Sequence, residues 1–113
     1  MTSPSTQAEK LQEMLQAMWK TSRPAILERF QTIRDAEKML AAGSLDDGAR
    51  KNAESAAHKL AGVLGTFGLP QGTQLASQIE ALLASSSPLD TTHAHELARK
   101  LDELEAIIAS KPI

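Results

Sequence analysis

Apolar residues recur along this chain at alternating steps of three and four, in five consecutive segments, and only helices that each bury one face satisfy that spacing. The stripes are Leu11, Met14, Leu15, Met18 and Trp19; Ile26, Phe30, Ile33, Ala36 and Leu40; Ala53, Ala57, Leu60, Leu64 and Phe67; Leu75, Ala76, Ile79, Leu82 and Leu83; and Ala94, Leu97, Ala98, Leu101, Leu104 and Ile108. None is apolar all round, and no segment shows the period-two alternation of a strand. No internal repeat or second domain is visible. The expected fold is all-α: an antiparallel up-down-up-down four-helix bundle with an additional short N-terminal helix as a lid.

The residues between the stripes set the boundaries. Residues 1–6 form a polar lead, expected to be flexible, and the bundle proper spans 7–110. Thr21-Ser22-Arg23-Pro24 reads as a stop and restart, because Ser22 suits an N-cap and proline suits a first turn. A single kinked helix is the alternative. Gly43 and Gly68 suit C-caps, Asp46 or Asp47 an N-cap, and Pro70 the first turn of the following helix. Ser85-Ser86-Ser87-Pro88 is a loop, after which Asp90, Thr91 or Thr92 can cap the last helix. Connections this short force successive helices to run antiparallel. Residues 111–113 are a polar tail, either a true terminus or the start of a linker.

Composition removes several function classes. A net charge of -2, from 12 basic and 14 acidic residues spread along the chain, gives no concentrated positive field for a phosphate backbone. With aromatics at 3% and no tyrosine, stacking platforms for single strands are absent too, so nucleic acid is not an expected partner. There is no cysteine for a disulfide or thiolate metal site. Neither a signal peptide nor an apolar run near 18 residues is present, so no membrane association is expected and a cytoplasmic location is.

One stretch stands apart. On the helix wheel His58 lies roughly 150° from the centre of the stripe through Ala53, Ala57, Leu60 and Leu64, so it faces water. Gly62 and Gly65 follow at i+4 and i+7, leaving a bare strip beside the imidazole, although each interior glycine costs about 1 kcal/mol against alanine. Such a strip suits the close approach of another protein. Three roles are open to an exposed histidine here: proton shuttle, metal ligand or nucleophile. Proton shuttling needs a pocket and a second titrating group. Metal binding needs ligands about a turn apart, whereas His93 and His95 are two residues apart and read as solvated, so no metal site is expected. As a nucleophile, neutral imidazole can take a phosphoryl group on one nitrogen if an acceptor holds the proton on the other.

The run His58-Lys59-Leu60-Ala61-Gly62-x-x-Gly65-x-x-Gly68-Leu69 resembles the signature of histidine-containing phosphotransfer (Hpt) domains of two-component phosphorelays. The resemblance extends through Ala25 to Ile108 in helix order and length. It implies that His58 accepts a phosphoryl group from a receiver-domain aspartate or a histidine kinase and passes it to another receiver. It further implies that Lys59 helps hold the group, and that Gly62, Val63 and Gly65 form the docking surface. Glu80, 22 residues after the histidine, matches a family position from which a carboxylate accepts the Nδ1 hydrogen; otherwise it is an ordinary solvated side chain. Many members carry a second lysine where this chain has Ala61. The resemblance implies no resident cofactor, magnesium belonging to the receiver's acidic pocket, no catalytic activity of the domain alone, and possible fusion to receiver or output domains. The competing expectation is a helical interaction or dimerisation module in which His58 is incidental and Gly62 and Gly65 serve helix contact.

Overall fold

The computed structural model describes residues 4–111, which form four helices: α1 (Pro4–Ala41), α2 (Asp47–Thr66), α3 (Pro70–Ala84) and α4 (Thr91–Ser110). Each helix packs on two neighbours and none across the diagonal, so the order around the bundle is α1, α2, α3, α4. With connections this short, the topology is the expected up-down-up-down arrangement. The buried positions are those of the stripes: Ile26, Ile33, Leu60, Leu64, Ile79, Leu97, Leu101 and Leu104 are fully enclosed. No polar or charged residue is buried among those described. Leu75 and Leu82, expected inward, lie at the stripe edges and are half-buried.

The N-terminal segment differs from expectation. There is no separate lid helix: α1 runs unbroken for 38 residues through Ser22 and Pro24. A proline inside a helix costs about 3 kcal/mol. Trp19 and Ile26, one before and one after Pro24, are both completely buried on the same stripe. Burying side chains of this size is worth roughly 1.5–3 kcal/mol each, and only an uninterrupted helix keeps both on the core. Pro24 itself is exposed, so water can serve the carbonyl it leaves unpaired. Trp19 meets Phe67 at the end of α2 edge-on, with ring centroids 5.2 Å apart.

Beyond that contact α1 overshoots. At 1.5 Å per residue it is about 57 Å long against about 30 Å for α2 or α4, consistent with a molecule of 62 × 20 × 20 Å. On the overhang Leu11, Met14, Leu15 and Met18 remain exposed. The helix also takes in Pro4 to Thr6, which the sequence assigned to the polar lead; Met1 to Ser3 and Pro112 to Ile113 lie outside the described residues.

The punctuation works as the residue types require. Asp46 caps α2 by accepting the Ala49 N–H at 2.7 Å. Gly43 and Gly68 adopt φ of 72° and 73°, the left-handed conformation that closes a helix. Pro70 opens α3 after a link of three residues. Asp90 caps α4 in a reciprocal box with His93, whose Nδ1 accepts the Asp90 N–H at 3.1 Å.

Candidate functional site

His58 is the twelfth residue of α2, and its side chain is 78% exposed. Its Nδ1 lies 2.7 Å from Oε2 of Glu80 on α3 and 3.3 Å from Oε1. A carboxylate can only accept, so this contact holds the proton on Nδ1 and leaves the lone pair on Nε2. Glu80 is 29% exposed, which places the pair at the bundle surface with the carboxylate on its inner side.

Two hydrogen bonds between the same helices bracket the pair. The Thr73 hydroxyl donates to the Ala61 carbonyl at 2.9 Å, three residues beyond His58. Toward the other end, Arg50 Nε donates to the Leu83 carbonyl at 2.8 Å, three residues beyond Glu80. The guanidinium also reaches the carbonyls of Ser85 and Ser87 in the following loop. The Leu83 carbonyl lies in the last turn of α3, where intrahelical donors run out, and Arg50 supplies one from α2 while tying down the loop that follows. The register of α3 on α2 is thus pinned on both sides of the His58–Glu80 contact.

The structure separates the other residues singled out in the sequence. Gly62 is exposed, and a Cβ there would meet nothing within 4 Å. Gly65 is exposed as well, but a Cβ there would lie 3.2 Å from Thr73 Oγ1, so of the two only Gly62 has free space for a side chain. The second makes room for α3. Val63 is half-buried against the core. Lys59 is exposed and lines a groove toward α1 with Glu28, Arg29 and Thr32. His58 lies in a different shallow groove, with Lys51, Glu54, Ser55 and Glu80. His95 is exposed, while His93 is engaged in the α4 cap. Among the described residues no three His, Asp or Glu side chains converge as a metal site, and no helix is long and apolar enough to cross a membrane.

The sequence reading missed Thr73, Arg50 and the His93 cap. An i, i+3 Asp–His pair at a helix start was a usable signal for the last, whereas the first two act across helices whose register the sequence does not state.

A four-helix bundle presenting one exposed, carboxylate-held histidine defines a class, and comparison with known families agrees. The family model of the Hpt domain matches residues 5–107, and the chain belongs to that family. Its general role is therefore phosphotransfer in phosphorelay signalling. Among curated proteins, Protein RcaC of Microchaete diplosiphon is 30% identical over 91 residues, covering 80% of this chain. The chain corresponds to 14% of that relative's length. No solved structure matches.

Proposed function

We propose that the chain is a phosphocarrier in which His58 takes a phosphoryl group from a receiver-domain aspartate or a histidine kinase and passes it to another receiver. The observation that carries this reading is the 2.7 Å contact between Nδ1 and Glu80 on an imidazole otherwise open to solvent. The Nε2 lone pair attacks phosphorus, the N–P bond forms, and the P–O bond to the receiver's carboxylate breaks, its electron pair leaving with that carboxylate. The positive charge that the ring gains is shared with Nδ1–H, where Glu80 balances it. Passing the group on is the same step reversed onto another aspartate.

Phosphoryl transfer asks mainly for in-line placement and for charge on the phosphoryl oxygens. α2 gives the placement, Gly62 lets the partner's backbone come near, and Lys59 and Val63 present the flank beside it. Magnesium is the receiver's contribution, and the chain holds no cofactor of its own. In this reading it works in the cytoplasm and has no turnover alone.

Mixing the protein with a phosphorylated receiver domain tests this. His58 acquires an acid-labile, base-stable phosphate. A folded His58→Gln variant that still takes up label refutes the assignment.

A further inference from the structure

We infer that Lys51, two turns before His58 on α2, supplies the ammonium that meets the phosphoryl oxygens; this rests on the phosphocarrier reading and adds a residue to it. Seven residues make 700° of helix, which returns Lys51 to within about 20° of His58, whereas Lys59 is turned about 100° away. The grooves agree with the wheel. Lys51 lines the groove that holds His58, and Lys59 lines the one toward α1.

Direction matters as well as angle. Every Cα–Cβ bond on a helix leans toward its N-terminus, so the imidazole tilts toward Lys51, and the flexible Lys51 stem, which starts with the same lean, turns back along α2 to meet it. The rise between the two residues is about 10.5 Å, a gap that the four-carbon lysine stem and a phosphorylated imidazole close between them.

Charge supplies the need. The other ionisable side chains lining this groove are Glu54 and Glu80, both carboxylates. A phosphoryl group carrying up to about two negative charges, set beside them, is repelled unless a cation joins it. Lys51 is exposed and takes part in none of the ion pairs among the described residues. A mobile point charge also suits a group that must arrive and leave.

Phosphoramidate tests this without a partner protein. Attack by Nε2 forms the N–P bond as the donor's P–N bond breaks, and ammonia leaves with the electron pair; 31P NMR follows the product on His58. Lys51→Gln is expected to slow label acquisition roughly two- to fivefold, the range an exposed charge pair supports. It also moves the titration of the bound phosphoryl group to higher pH, because removing a cation disfavours the dianion. Lys51→Arg restores both readouts, and circular dichroism checks that each variant keeps its helices. Lys10→Gln, on the α1 overhang, removes the same charge and leaves both unchanged. The inference is overturned if Lys59→Gln reproduces the losses while Lys51→Gln does not, or if Lys10→Gln slows labelling equally. If wild-type protein takes no phosphate on His58, the phosphocarrier reading fails and this inference goes with it.

Discussion

Replacing Gly62 and Gly65 by alanine, one at a time, should separate a glycine with open space around it from one that a side chain of the neighbouring helix approaches. Both lie within α2 and neither has positive φ, so alanine fits either backbone without strain. The intrinsic gain is about 0.4–1 kcal/mol per site. At Gly62 nothing lies within 4 Å of the new methyl, so the full gain appears. For a domain of this size that is a rise of about 2–4 °C in Tm. At Gly65 the methyl arrives 3.2 Å from Thr73 Oγ1, closer than ordinary van der Waals contact, and that hydroxyl is fixed by its bond to Ala61. Loosening this bond forfeits about 0.5–1.5 kcal/mol, enough to cancel the gain or reverse it. A double-mutant cycle makes the argument specific: in a Thr73→Ala background the obstacle is gone, and Gly65→Ala recovers the stabilisation seen at Gly62. Thermal and urea denaturation followed by circular dichroism read every corner. Equal stabilisation at the two glycines in the wild-type background would refute the reasoning.

Further outcomes follow from the same contacts. Glu80→Ala, by removing a hydrogen bond to a charged group worth about 1.5 kcal/mol, slows phosphorylation of His58 about tenfold, and Glu80→Gln, which keeps an acceptor, slows it less; 15N shifts of the imidazole report the loss of the fixed tautomer. Arg50→Met strands the Leu83, Ser85 and Ser87 carbonyls and lowers unfolding free energy by about 2 kcal/mol in urea titrations. Asp90 is held below its ordinary value of 3.8, chiefly by the hydrogen bond from the His93 backbone N–H. A carboxylate depressed in this way adds stability above its unfolded pKa and loses it as pH falls through its folded one. Asp90→Asn is therefore less stable than wild type near neutrality, and the difference in Tm closes below pH 3.8.

The apolar stripes were legible because burial writes directly onto the helical period: every fully enclosed side chain sits on one of them, Trp19 and Ile108 included. Asp46, Gly43 and Gly68 were legible because their chemistry is local. Pro24 was misread for the same reason, since a local rule takes no account of a tryptophan and an isoleucine buried on either side of it. At the site, the exposure of His58 followed from the wheel, and Glu80 came from resemblance to a family, no spacing rule linking residues 22 apart on different helices. Gly65 could not be told from Gly62 without knowing where α3 places Thr73. Arg50 was illegible because a long side chain reaching another helix's last carbonyls leaves no periodic trace.

His58 and Glu80 belong to consecutive helices joined by only three residues, so one hairpin contains the whole histidine–carboxylate pair. Closing so short a loop costs little chain entropy, and both inter-helix ties beside the pair lie within or immediately after that hairpin. Transient detachment of α1 or α4 would thus leave imidazole and carboxylate facing each other. In native-state hydrogen exchange the amides of α2 and α3 around the pair would persist as one cooperative unit while the α1 overhang exchanges first.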